Sequence, residues 1–151
     1  RLQKTIQSNK SVDQLIPTSN LDMLLKNSDY IVISCPLTPL TKNLIGSKEL
    51  KSMKQNAVII NVARGQIINQ NDLINALENK VISGAALDVF EKEPLEESSK
   101  LFDLDNVLIS PHISGNYQNY QSDMLDKFAT NLNRFVLEKA LKNRVCKKRL
   151  Y

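Results

Sequence analysis

The chain has 151 residues, of which 42% are hydrophobic and 24% charged, and its 20 basic and 16 acidic side chains leave a formal charge of +4. That size and composition fit a globular domain that can bury a core, and no run of about eighteen apolar residues offers a membrane span. The excess positive charge sits in a tail, Lys139, Lys142, Arg144, Lys147, Lys148 and Arg149. No aromatic side chains interleave with it as a stacking platform would need, so it reads as a solvated tail and not as a nucleic-acid contact.

Residues 1–10 lack the apolar core of a signal peptide, and Cys35 and Cys146 belong to no C-x-x-C or Cys/His ligand cluster. A soluble cytoplasmic protein with reduced structural thiols and no metal site is expected. The four glycines, Gly46, Gly65, Gly84 and Gly115, are too scattered to write G-x-G-x-x-G or a P-loop.

In chain order, residues 1–19 are polar, weakly periodic and loop-like. Ser19 or Asn20 caps a short helix with Leu21, Leu24 and Leu25 on one face. Residues 30–34 are a β-branched apolar run bounded by Asp29 and Pro36, hence a buried strand, which Pro36 and Pro39 prevent from continuing. A helix capped by Ser47 follows, with Glu49, Leu50 and Met53, and then a strand over residues 57–61. Asn71 caps a third helix, with Asp72 in its first turn and Leu73, Ile74 and Leu77 on its face.

Residues 84–89 and 107–110 are two more strands. A long helix runs from Tyr117 to about Leu141, with Tyr120, Met124, Phe128, Leu132, Phe135 and Val136 at helical spacing. Strands apolar on both faces and separated by helices specify right-handed crossovers, a parallel sheet and a doubly wound α/β layout.

In such sheets ligands bind outside the carboxyl ends of the strands. Those ends here carry Cys35-Pro36, Asn61-Val62-Ala63-Arg64-Gly65, Asp88 with Glu93 beyond it, and Pro111-His112. A lone histidine is often structural, but His112 follows a proline where the chain leaves the sheet. Glu93 could hold one ring nitrogen and fix the tautomer, or it could be one more solvated acid in the run Glu91, Glu93, Glu96 and Glu97. Arg64 could clamp a carboxylate and polarise a carbonyl, or form a surface salt bridge. Asp88 ends an apolar strand and must find a partner, either a ligand amide or a helix N-terminus.

These segments, in this order, resemble the consecutive signatures of the D-isomer-specific 2-hydroxyacid dehydrogenases: residues 35–41, 61–65, 84–95 and 106–115. The likeness runs from about Leu21 to Val136. It implies a partial Rossmann-type doubly wound parallel sheet with a long C-terminal helix. It also implies reversible hydride transfer between NAD or NADP and a small 2-oxo or 2-hydroxy acid.

Carried over by residue, the resemblance makes Arg64 the binder of the substrate's carboxylate and carbonyl. His112 becomes the acid/base, with Glu93 as its partner. Asp88 would hold the nicotinamide carboxamide, and Pro36, Val62, Ala63, Arg64, His112, Ser114 and Gly115 would line the cofactor. Residues 1–116 would be the C-terminal part of the NAD(P)-binding domain, without its G-x-G-x-x-G half. Residues 117–151 would be a helix and basic tail that return to an absent substrate domain.

On this reading the chain is a fragment with little activity alone, and the intact protein is a homodimer with no nucleic-acid or membrane partner. Arg1 would stand near the ribose-binding position, where a base favours a 2′-phosphate. The stretch Ser114-Gly115-Asn116-Tyr117 departs from the family's usual pattern. A non-catalytic dinucleotide-binding or regulatory module of the same fold is the alternative. A flavodoxin-like signalling domain would need an acidic pocket that Cys35-Pro36 does not supply.

Overall fold

Four apolar runs too short for helices pair side by side in the computed structural model, which describes residues 12–147. The described chain divides into two units, the first ending at His112 and the second beginning at Ile113. In the first unit β1 (Tyr30–Ile33), β2 (Val58–Asn61), β3 (Gly84–Leu87) and β4 (Val107–Ile109) form one parallel sheet in chain order. Helix α1 (Leu21–Asn27) precedes β1, α2 (Ser47–Ser52) joins β1 to β2, and α3 (Gln70–Glu78) joins β2 to β3. The parallel α/β architecture expected from the sequence is present. The connection from β3 to β4 carries only a 3-10 turn, Lys100–Asp103.

Strand order advances in one direction, so right-handed crossovers place α2 and α3 on one face. The registers Ile31–Ile59–Ala85 and Ile33–Asn61–Leu87 lie on that face and are buried. They form a single core with Leu25 of α1, Leu50 of α2, and Leu73 and Leu77 of α3. Each such Leu or Ile stabilises the fold by about 1.5–3 kcal/mol relative to an exposed position. The alternate register, Val32–Ile60–Ala86–Leu108, faces the other way, and its outer members Val32 and Leu108 are exposed. Both faces are thus apolar, and α1–α3 cover one of them.

Several helix starts differ from the sequence reading. Asn20 does precede α1, but its side chain makes no capping bond. Gly46, not Ser47, is the cap of α2, and its N–H donates to Glu49 Oε2 at 3.2 Å. At α3 the cap is Asn69, whose Oδ1 accepts the Asp72 N–H at 3.0 Å, so the cap lies two residues before the expected Asn71. Asn71 is already inside the first turn, since the Leu73 N–H donates to the Asn69 carbonyl at 3.0 Å and closes the helix around it. The face expected for α3, Leu73, Ile74 and Leu77, is buried.

The prolines do end β1. The loop after it closes on a buried threonine pair: Thr41 Oγ1 donates to the Pro36 carbonyl at 2.7 Å and accepts the Thr38 N–H at 2.7 Å. Cys35, at the start of this loop, is a free thiol whose pKa is pushed up by burial.

In the second unit α4 spans Tyr120–Val136, shorter at both ends than the expected helix. Tyr117 lies outside it, packs edge-on against the Tyr120 ring at 5.8 Å and donates its hydroxyl to Asp123 at 2.6 Å. After α4 the chain folds back, with Lys142 N–H on Asn131 Oδ1 at 2.9 Å and Arg134 Nε on the Ala140 carbonyl at 2.6 Å. The apolar side chains Met124, Phe128, Leu132, Phe135 and Val136 are all exposed. Among the described residues no helix is long and apolar enough to cross a membrane. Arg1 and the tail residues Lys148 and Arg149 lie outside the described residues.

Candidate active site at the carboxyl ends of the strands

Parallel strands deliver all four carboxyl ends to one edge of the sheet, and the segments leaving those ends carry the site. At the end of β2 the side chain of Asn61, 1% exposed, closes a turn: Oδ1 accepts the Ala63 N–H at 3.1 Å, and Nδ2 donates to the Arg64 carbonyl at 3.0 Å. The Val62 N–H donates back to the Ile33 carbonyl of β1 at 3.3 Å. Arg64 follows in extended backbone, and its Nη1 donates to the Ala63 carbonyl at 2.6 Å. Among the described residues Arg64 forms no salt bridge, so the expected surface-pair alternative is not what holds it.

At the end of β3, Asp88 is 3% exposed and accepts the Ser110 hydroxyl on Oδ1 at 2.5 Å. The partner that burial demands therefore includes the residue just past β4. Beyond Asp88 the chain turns, and Glu93 Oε1 accepts the Phe90 N–H at 3.0 Å. This loop is anchored to α3 by a reciprocal pair, the Gln70 N–H on Glu91 Oε1 at 3.0 Å and the Glu91 N–H on Gln70 Oε1 at 3.3 Å. It also lies directly on Gly65, where a Cβ would collide with the Phe90 carbonyl and the Glu91 nitrogen. Gly65 is thus required by close backbone approach.

After β4 the chain passes Ser110 and Pro111 and places His112 in the left-handed region, at φ 55°. Such backbone costs a non-glycine residue free energy and clusters at functional sites. Nδ1 of His112 stands 2.7 Å from Glu93 Oε2. An ionised carboxylate only accepts, so Nδ1 carries the proton toward Glu93 and Nε2 is the nitrogen left to face a substrate. The hydrogen bond from His112, then that from Phe90, with the charges of His112 and Arg64 behind them, hold the Glu93 carboxyl below its ordinary value of 4.5. Of the two readings of Glu93, solvated acid or histidine partner, the geometry has the second.

Arg64, Gly65, Glu93 and His112, with Leu37 and Phe90 beside them, line one cavity of about 290 Å³. A cation that can grip a carboxylate and an imidazole held by a carboxylate are the parts needed to orient a carbonyl and exchange a proton with it. The remaining expected site residues are not among those lining this cavity. Val62 is 41% exposed and Ala63 is buried. The Pro36 carbonyl is engaged by Thr41. Ser114 and Gly115 belong to the second unit.

Exposed Val62 offers an apolar surface and Asp88 a buried acceptor at neighbouring strand ends, a set that fits a nicotinamide ring and its carboxamide. The sequence has no glycine-rich turn to fit the pyrophosphate. Sequence reasoning missed Asn61 and Ser110. Both carry the signal that singled out Asp88, a polar side chain ending an apolar run.

Residues 2–114 match the model of the D-isomer specific 2-hydroxyacid dehydrogenase NAD binding domain. A glyoxylate reductase of Thermococcus litoralis is 45% identical over 116 residues, which are 77% of this chain and 35% of that protein. A glyoxylate/hydroxypyruvate reductase B of Enterobacter agglomerans is 48% identical over 94 residues, 62% of this chain and 29% of that one.

Among solved structures, a D-isomer specific 2-hydroxyacid dehydrogenase of Xanthobacter autotrophicus in complex with NADPH superposes with a TM-score of 0.90 at 32% identity. That superposition covers 99% of this chain and 61% of that one. An NADPH-dependent glyoxylate/hydroxypyruvate reductase of Sinorhizobium meliloti in complex with NADP gives a TM-score of 0.89 at 27% identity, covering 99% of this chain and 48% of that one. The chain spans about a third of the length of the curated relatives it matches. By the family model, the relatives and the fold together, it belongs to the D-isomer specific 2-hydroxyacid dehydrogenases, as part of their NAD binding domain.

Proposed function

We propose that the protein carrying this chain reduces a small 2-oxo acid, such as glyoxylate, hydroxypyruvate or pyruvate, to the D-2-hydroxy acid with NAD(P)H, and runs the reverse oxidation. The observation that carries this reading is the 2.7 Å contact of His112 Nδ1 with Glu93 in one cavity with Arg64. The glyoxylate and hydroxypyruvate reductase names of the relatives support the substrate class. In this reading residues 1–116 serve the cofactor side, and residues 117–151 form the helix and tail that leave it.

When bound, the dihydronicotinamide supplies a hydride to the carbonyl carbon. Arg64 grips the substrate carboxylate with two parallel N–H bonds and draws electron density from the carbonyl oxygen. His112 gives the proton on Nε2 to that oxygen as the C=O π bond opens, and Glu93 stabilises the protonated ring through Nδ1. Asp88 would hold the carboxamide, and Pro36, Val62 and Ala63 would line the cofactor.

The test is His112→Ala in the 2-oxo acid reducing protein. Turnover should fall by about 10²- to 10⁴-fold, while the NAD(P)H dissociation constant stays within about twofold. Steady-state kinetics with fluorescence titration of the nucleotide reads both, and undiminished turnover would sink the assignment. Nucleotide binding by wild-type protein without reduction of any 2-oxo acid would favour a binding module instead.

A further inference from the structure

The buried amide of Asn61 is a polar group at this edge that the chemistry above leaves unused. We infer that Asn61 is a positioning residue for Arg64, an inference that rests on the proposed role of Arg64 in gripping a 2-oxo acid.

At 1% exposure Asn61 cannot reach a ligand in the cavity. What it does reach is the backbone on both sides of one peptide unit. Its Oδ1 holds the Ala63 N–H and its Nδ2 holds the Arg64 carbonyl, so the intervening Ala63–Arg64 peptide is tied at both ends. That peptide carries the Ala63 carbonyl on which the guanidinium rests, through Nη1 at 2.6 Å. The main chain of Asn61 is fixed as well, its carbonyl accepting the Asp88 N–H at 3.0 Å. The tie therefore runs from the β3 end through Asn61 to the launch point of the arginine.

Only a side chain with one donor and one acceptor at this reach can make both bonds. Aspartate keeps the acceptor and loses the donor, and alanine loses both. A guanidinium that must meet a carboxylate with two bonds at once is sensitive to its launch angle, and a misplacement of about 1 Å at such a group costs about 100-fold in rate.

The experiment compares Asn61→Asp and Asn61→Ala, each alone and with Arg64→Ala, using glyoxylate and NAD(P)H. In the wild-type background KM for glyoxylate should rise about tenfold or more and kcat/KM should fall about 30- to 100-fold. The nucleotide dissociation constant should stay within about twofold. In the Arg64→Ala background the same substitutions should change kcat/KM by less than about threefold, because the group they position is gone. An equal loss in both backgrounds, or a folded N61D protein with unchanged KM, would overturn the inference.

A readout without turnover separates this from the functional reading. In ¹⁵N-labelled protein the Arg64 Nε–H cross-peak, assigned through R64K, should be displaced or broadened in N61D. A displaced cross-peak in a protein whose wild type reduces no 2-oxo acid would reject the function and support the positioning. An unmoved cross-peak in an active protein would reject the positioning alone.

Discussion

The two edges of the sheet hold polar side chains in different ways. At the amino edge, around Gln55, Lys80, Asp105 and Asn106, lies a cavity of about 580 Å³. The carboxyl-edge cavity is half that size. At the amino edge the polar groups are spent on the frame. Asn106 Nδ2 donates to the Leu77 and Ser83 carbonyls at 3.4 and 3.3 Å, and the exposed pairs Lys54–Asp29 and Lys100–Glu78 bridge elements at 2.9 and 3.0 Å.

At the carboxyl edge a buried layer, Asn61 and Asp88, bonds to the segments that carry Arg64 and His112, and a half-exposed layer faces the cavity. The difference teaches that cavity volume does not separate the edge that gathers the candidate site from the edge that serves the frame. Buried polar groups one step behind exposed ones do, because they trade stability for fixed geometry.

Substitutions can break or sharpen this contrast. The largest expected effect is that of Gly65→Ala. The added methyl meets the Phe90 and Glu91 backbone, which cannot give way like a flexible side chain. A loss of about 3 kcal/mol or more is expected by urea unfolding, together with loss of activity, since the Arg64 and Glu93 segments are forced apart. A G65A protein of wild-type stability would mean that the two segments are not packed as described.

Next is Glu93→Gln, expected to lower kcat/KM by at least about tenfold. It should also change the acid side of stability. The Glu93 carboxyl is held below its ordinary value, chiefly by the His112 bond. Its contribution is therefore complete above the unfolded-state pKa and is lost as pH falls through the lower folded value. Unfolding curves between about pH 3 and pH 6 should be less steep in pH for E93Q than for wild type. Identical curves would show that the Glu93 contact contributes nothing to the folded state.

The smallest effect belongs to the amino edge. Asn106→Ala should cost about 1 kcal/mol, since it removes two long hydrogen bonds, and should leave kcat/KM unchanged. A kinetic defect in N106A would erase the contrast between the edges.

Most of the frame was legible because burial leaves a periodic trace. Residues 30–34 and Leu73, Ile74 and Leu77 stand where their pattern puts them, give or take a residue. Local terms are ambiguous in the sequence where two similar residues compete. Asn69 and Asn71 both resemble a cap, and only the one with Asp72 three residues on makes the bond. Apolar spacing continues past Val136 and alone would extend the C-terminal helix, but the chain turns back there and the Lys142 N–H donates to the Asn131 side chain.

In the site, Arg64, Glu93 and His112 were legible from strand-end position, and the cavity brings them together. Asn61 and Ser110 were not. Asn61 works through the main chain just past its own strand and Ser110 through a side-chain bond to the end of a neighbouring strand, and hydrophobic periodicity displays neither.

The left-handed backbone of His112 carries a consequence for divergence. Two demands meet at one position, an imidazole that meets Glu93 and a tolerance for positive φ, and few residue types satisfy even the second. Asparagine and glycine do so at low cost, whereas a β-branched side chain does not. A lineage that abandons the chemistry but keeps the fold should therefore drift at this position toward Asn or Gly. On the proposed role of His112, either of those two residues in an otherwise intact relative would mark a protein that has kept the fold and given up the reaction.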